Sequence, residues 1–362
     1  MWIEILRELR LNDIKITDIP IDINETKQLK QDWLDEWKKN ITKGFPSFSQ
    51  IENAELHWYT KKELIQKIVE NEPRNIWFRL VLIETMLFEP YYPIETETDK
   101  KGNEVPSKKY TKLKFNIYAY SKSSGDKYID SFFNGSYYQK SYIFRLRKTY
   151  DKVILEMKEV VKGLLIGGAI AAGIALATIL TAGLFAPAIA VALVGSNFVG
   201  LSGAALTSAC LAYLGGGAIA IGGAGMAGGT IAIVGGAAIL GTSAGLGVGG
   251  AIGAVSILGK QNAILQSAKL LVSIREIFLN DEYDIDYSKS VYGQYVQTII
   301  DIEKELVELR MEAEIANDEK KKELKRKIKN TDESVKVMKI AKDMMIKFIS
   351  SFEEGLLHID DE

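Results

Sequence analysis

Apolar positions recur with a helical period along most of the first hundred residues. Trp33, Leu34, Trp37 and Ile41 fall at helical spacing, as do Leu64, Ile65, Ile68 and Val69, and each set predicts the apolar face of an amphipathic helix. Ile76 to Phe88 is apolar almost throughout and predicts the core of this part. Pro90 and Pro93 then break the chain, and the polar stretch 95–109, with Gly102 and Pro106, predicts an exposed loop. From Tyr110 to Tyr120 the period changes to two. YTKLKFNIYAY predicts a half-buried strand, Ser123, Ser124 and Gly125 a turn, and Lys127 to Phe133 a shorter partner strand. Helical spacing returns from about Tyr142 to Lys162, so the N-terminal unit is expected to be α+β.

Beyond Lys260 the helical period resumes with Ile264, Ala268, Leu271 and Phe278 on one face. The acidic stretch 280–288 (NDEYDIDYS) alternates acids like a calcium loop, but the glycine at the sixth position and the closing glutamate are missing, so a solvated loop is expected. Ile299, Ile302, Leu306 and Leu309 follow the 3-4-3 spacing of a coiled-coil seam. A turn is expected around Asn317 to Lys322, followed by a helix carrying Leu324, Ile328, Val335, Met338 and Met345. An antiparallel hairpin and a coiled coil that joins subunits both fit.

Between these parts no charged residue occurs from position 163 to 259, a run of 97 residues holding 25 of the 31 glycines. A helix crossing the hydrocarbon core of a bilayer needs about 20 apolar residues, so this length predicts two to four crossings, of which 163–182 is the clearest. Gly241, Gly245, Gly249 and Gly253 stand four apart, and Gly163–Gly167 and Gly225–Gly229 repeat the spacing. In lipid such ladders let helix backbones approach closely; a buried glycine-rich hairpin in a soluble protein is the alternative. Both flanks are basic, with Arg145, Arg147, Lys148, Lys152, Lys158 and Lys162 on one side and Lys260, Lys269 and Arg275 on the other. The positive-inside rule then gives an even number of crossings, two or four, with both termini cytoplasmic. The expected fold is a mainly α membrane protein: an α+β cytoplasmic sensor unit (1–150), glycine-rich transmembrane helical hairpins forming a pore region (151–260), and a C-terminal helical hairpin or coiled coil (261–362).

Composition removes several chemistries. The lone Cys210 excludes an intrachain disulfide and a cysteine zinc site, and with only His57 and His358 no histidine-rich metal centre is expected. No metal, cofactor or catalytic residue is assigned. MWIEILRELRL has charges breaking each apolar stretch and does not read as a secretory signal. Gly223-x-Gly225-x-x-Gly228 and Gly245-x-Gly247-x-x-Gly250 match a dinucleotide fingerprint but lack the acid about 20 residues later. Gly241-Thr242-Ser243-Ala244-Gly245 matches a nucleophile elbow, but only the distant His358 follows. No GxxxxGK[ST] phosphate loop is present.

Charge supplies the strongest candidate chemistry. Residues 98–150 carry a net charge of +8, whereas 1–97 and 260–362 each carry −5, so this block is the part expected to meet an anion. Its candidate ligand-binding residues are Lys108, Lys109, Lys112, Lys114, Tyr118, Tyr120, Lys122, Lys127, Lys140, Arg145 and Arg147. Interleaved aromatics and cations suit single-stranded oligonucleotides or a nucleotide-derived ligand; an anionic lipid surface, a plain core or a protein partner are the alternatives.

Cytoplasmic helical flanks, the glycine-ladder run and the basic aromatic segment together resemble membrane effectors of bacterial abortive-infection systems, the nearest being the channel effectors of Hailong antiphage systems. The apolar run is also similar to that of apolipoprotein L and colicin-like channel formers. The resemblance implies a non-enzymatic, ligand-gated channel or pore effector that collapses an ion gradient in antiphage defence. It would act as a homo-oligomer, such as a tetramer, in a lipid bilayer, and the resemblance implies the bacterial inner membrane. A delivered pore-forming toxin with buried hairpins, and a lipid-active hydrolase using Ser243, are the other readings.

Overall fold

The computed structural model describes residues 2–18, 23–49, 57–70, 76–88, 90–91, 94–98, 100, 104–115, 120–133, 141–160, 263–265 and 267–355. They fall into two compact units, divided between Arg147 and Lys148.

The first unit is built around α1 (Trp2–Lys15), which packs against α2 (Ile23–Ser49), α3 (Lys61–Glu70), α4 (Ile76–Leu87) and α6 (Lys122–Phe133). With neighbours on so many sides, every residue from Glu4 to Arg10 is buried, charged ones included. On α2 the expected face is the buried one: Trp33 and Trp37, one helical turn apart, stack with ring centroids 6.0 Å apart, and Leu34 and Ile41 are buried beside them. Leu6, Phe88, Tyr91, Tyr110 and Leu113 complete this core. Leu64 and Ile68 seat α3, while Val69 stays exposed. The α3 N-terminus is closed by a reciprocal cap. The Glu63 carboxylate accepts from the Thr60 backbone N–H at 2.7 Å, and the Glu63 N–H points back at the Thr60 hydroxyl at 3.4 Å.

The expected α+β architecture is corrected at two places. The loop over 95–109 carries the only strands among the described residues, a two-stranded antiparallel ribbon of β1 (Thr96–Thr98) and β2 (Glu104–Pro106). The strand expected over 110–120 opens instead as a helical turn, α5 (Thr111–Phe115), and its partner over 127–133 is helix α6. Tyr110 and Leu113 are buried three residues apart while Thr111 and Lys112 are exposed, a spacing that a helix satisfies and a strand does not. Ser121 then starts α6, its hydroxyl accepting the Ser124 N–H at 3.2 Å, and Gly125, Asp126 and Ile129 form the buried face.

A single helix, α7 (Tyr142–Val160), contains the division between units. The second unit holds the rest of α7 and the helical residues 263–265 and 267–272, which run into a π-helical segment, Ser273–Asp281. Two long helices follow, α8 (Ile285–Ile315) and α9 (Asp318–Glu353). The stretch 280–288 is largely helix termini rather than loop. Asp284 caps α8 by accepting the Tyr287 N–H at 2.9 Å, and Tyr283, at φ 55°, makes the turn. Asn317 caps α9 through the Lys320 N–H at 3.0 Å.

Of the two arrangements the seam allows, α8 and α9 form an antiparallel pair within one chain. Ile299, Ile302, Leu306 and Leu309 are buried on α8, as are Leu324, Val335, Met338 and Met345 on α9, with Ile328 half-buried. Ion pairs flank the seam in one register: Lys289–Glu353, Glu303–Lys339 at 2.6 Å and Arg310–Asp332 at 2.9 Å. Each step of seven or fourteen residues along α8 is matched by the same step back along α9.

The expected membrane architecture, with its inner-membrane location and transmembrane channel, is overturned: among the described residues no helix is long and apolar enough to cross a membrane. Length is available in α8, with 31 residues, and α9, with 36, but charged residues interrupt both before an apolar stretch reaches spanning length. The ladder positions Gly163, Gly167, Gly225, Gly229, Gly241, Gly245, Gly249 and Gly253 lie outside the described residues, as do Cys210 and Ser243.

Candidate functional site

The distinctive chemistry of the first unit is inside it. α1 places Arg10 and Asp13 one turn apart, and Thr17 follows just past its end; α2 brings Lys30, the chain after α4 brings Tyr91, and the residue before Ser121 is Tyr120. Arg10 and Lys30 are each 1% exposed, Tyr91 2% and Asp13 6%, whereas Tyr120 is only half-buried. Lys30 Nζ lies 2.8 Å from an Asp13 carboxylate oxygen and donates to the Thr17 hydroxyl at 2.9 Å. Thr17 in turn donates to the Asp13 carbonyl at 2.8 Å. The Tyr91 hydroxyl donates to the same carboxylate oxygen that Lys30 meets. Tyr91 is held for this task by a backbone φ of 64° and by the edge of Trp33, ring centroids 5.3 Å apart. A left-handed tyrosine costs roughly 1–3 kcal/mol and persists where its surroundings hold it.

Asp13 is thereby occupied, and Arg10 is left over. None of its Nε, Nη1 and Nη2 atoms makes a well-formed hydrogen bond among the described residues, although all three are shielded from water and the Tyr120 hydroxyl is close enough to favour the charge. Its guanidinium lies over the Tyr120 ring at 4.6 Å and 6.0 Å from the Tyr91 centroid. Cation–π contact offsets about 0.5–2 kcal/mol, against a desolvation cost on the order of several kcal/mol per buried ion. Burial opposes the charge of Arg10, but Tyr120, Tyr91 and Asp13 outweigh it and its pKa is raised. Lys30 goes the other way: burial and the Arg10 charge outweigh Asp13 and lower its pKa. Two cations therefore share one carboxylate.

Several cations of the basic block have carboxylate partners within the first unit. Lys109 pairs with Glu36, and Lys112 with Glu25 at 3.1 Å, so α2 supplies the counter-charges. Arg147 binds both carboxylate oxygens of Asp126, at 2.9 and 3.0 Å, and the Met86 carbonyl at 2.6 Å. Arg145 lies over the Tyr142 ring at 4.9 Å. Lys108, Lys122 and Lys127 are exposed, and Lys114 lies on α5. Tyr118 and Lys140 lie outside the described residues. Among the described residues, Tyr120 alone of the expected ligand-binding residues joins the interior cluster. Arg10, Asp13, Lys30 and Tyr91 were not singled out in the sequence. Their one signal is that Arg10 follows the buried Leu6 by one helical turn, which puts a cation at the edge of an apolar face.

Among the described residues no group of histidine, cysteine and carboxylate side chains is placed to hold a metal ion. No family model, no curated protein and no solved structure matches the chain.

Proposed function

We propose that the chain is a non-enzymatic, ligand-responsive protein, with the first unit as the sensing part and the helical-hairpin unit as the responding part. The observation that supports this is the interior cluster of Arg10, Asp13, Lys30 and Tyr91, which joins α1, α2 and the chain after α4 through polar contacts where apolar packing would be more stable. Such a cluster gives a bound molecule leverage on three elements at once. Helix α7 carries residues of both units, so a change at Arg147 and its partners has a covalent route onward.

The test is to purify the full chain without denaturation, release bound small molecules by heating, and read the supernatant by absorbance and phosphate analysis. A stoichiometric anionic compound is expected. Hydrogen exchange with and without that compound should then differ in α8 and α9 as well as in α1. An empty supernatant, or exchange that changes in neither unit, would rule the reading out.

A further inference from the structure

We infer that the Arg10 guanidinium is the receiving group of a buried oxyanion site, which takes a phosphate or carboxylate group of a small ligand between Arg10, Lys30 and the Tyr91–Tyr120 rings. The inference rests on the ligand-responsive reading above and names the chemistry of that ligand.

Three observations carry it. First, an arginine presents five N–H donors in a planar fork matched to two oxygens of a carboxylate or phosphate, and here none of Nε, Nη1 and Nη2 makes a well-formed hydrogen bond. Buried polar groups are nearly always satisfied, so a fully buried fork with none of its donors used marks a missing acceptor. Second, the charges do not balance. Lys30 and Tyr91 both occupy Asp13, which leaves one positive charge in an interior where an anion would be held strongly. Third, the cluster has one side towards solvent. Arg10, Lys30 and Tyr91 are sealed, while Tyr120, whose ring covers the guanidinium, is half-buried. Tyr120 is thus the side chain whose displacement admits the oxyanion. Its hydroxyl lies 3.3 Å from where a Cβ on Gly125 would stand, so a side chain at that position would crowd Tyr120 in its present place.

A site of this kind trades stability for binding, and that separates it from a purely structural arginine. The experiment is thermal unfolding of the full chain, freed of any copurified compound by exhaustive dialysis, in sodium phosphate, sodium acetate and sodium chloride at equal ionic strength, for the wild type, Arg10→Met and Arg10→Lys. For the wild type, phosphate or acetate should raise the midpoint by roughly 5–10 °C at a hundredfold excess over Kd. Chloride should not. A larger rise in phosphate assigns a phosphorylated ligand, and a larger rise in acetate a carboxylate. Arg10→Met should unfold at the same or a higher temperature than the wild type without added anion, and should lose the rise. Arg10→Lys should keep part of it.

Equal behaviour of the wild type in all three salts overturns the proposal, as does an undiminished rise in Arg10→Met. A lower midpoint or failure to fold for Arg10→Met in chloride overturns it too, because Arg10 would then be a strut over Tyr120. Heat release from the variants keeps the two readings apart. A compound retained by Arg10→Met refutes the Arg10 assignment and leaves ligand response standing; none from either protein refutes both.

Discussion

Arg147 on α7 grips Asp126 on α6 through two hydrogen bonds, from Nε to one carboxylate oxygen at 2.9 Å and from Nη2 to the other at 3.0 Å. Nη2 also reaches the Met86 carbonyl at the end of α4, at 2.6 Å. One cation thus ties three helices, and it is a cation that the sequence assigned to ligand binding. Both side chains are largely buried, so removing one partner strands the other. Arg147→Ala is expected to lower stability by about 3 kcal/mol, read by chemical denaturation of the full chain. Arg147→Lys should recover less than half of that, because an ammonium cannot reproduce the fork. A loss below about 1 kcal/mol would show that the clamp contributes little.

The hairpin separates packing from charge. Ile302→Ala and Met345→Ala, both at fully buried seam positions, should each cost about 2–5 kcal/mol. Arg310→Ala removes a pair whose side chains are 52% and 40% exposed and should cost roughly 0.2–1 kcal/mol. Ile315, 88% exposed, should accept serine within about 0.5 kcal/mol. Equal losses at Arg310 and Ile302 would contradict a seam held by apolar burial.

The cap on α3 gives a local test. Thr60→Ala removes the hydroxyl facing the Glu63 N–H and should destabilise α3 by about 0.5–2 kcal/mol. The Glu63 carboxylate, held below its ordinary pKa by the Thr60 backbone N–H first and its hydroxyl second, loses a partner too. Amide exchange should speed up in α3 and stay unchanged in α8 and α9; uniform acceleration would mean the cap is not local.

Alkaline pH should weaken the first unit. Burial pushes Tyr110 up to about 12, with the nearby Glu36 carboxylate adding to it, and pushes Tyr128 up to about 12 with the Glu8 charge adding to it. Tyr91 is raised well above its ordinary value, again chiefly by burial. In the unfolded chain these phenols ionise near pH 10. Their folded pKa values are the higher ones, so the stability they contribute is complete below about pH 10 and is lost as pH rises through about 12. Lys30 acts in the opposite sense: its folded pKa is depressed, so its penalty is relieved as pH approaches about 10.4. Denaturation midpoints should therefore hold steady or rise slightly to about pH 10 and then fall. A steady decline beginning near about pH 8 would contradict this order of titration.

Helix spacing made much of the fold legible. Trp33, Trp37, Ile41, Ile302 and Leu306 are buried where their period puts them, because each stripe lies on a long helix with one neighbouring face. Short segments failed for a physical reason. Over Tyr110–Leu113 or Lys127–Phe133 only a turn or two is sampled, and the same residues satisfy period two and period 3.6 until burial selects one. The interior cluster was hidden for another reason. Arg10 and Asp13 belong to a stretch that reads as the polar side of an amphipathic helix, and only the packing of α2, α3, α4 and α6 around α1 turns that side inward. The pairing of Lys112 and Lys109 was not legible either, since Glu25 and Glu36 on α2 are remote in sequence from these lysines.

The common register of Lys289–Glu353, Glu303–Lys339 and Arg310–Asp332 makes the hairpin a ruler with graduations of seven residues. A single-residue insertion in α8 would turn every later side chain by about 100° and leave its charges facing the wrong partners. Excising 304–310 together with 332–338 removes one graduation from each arm and leaves the remaining pairs aligned. The arm can therefore lengthen or shorten by whole heptads without redesign of what stands at its base, so the distance from the π-helical segment to the Asn317 tip is adjustable while the chemistry at either end stays fixed.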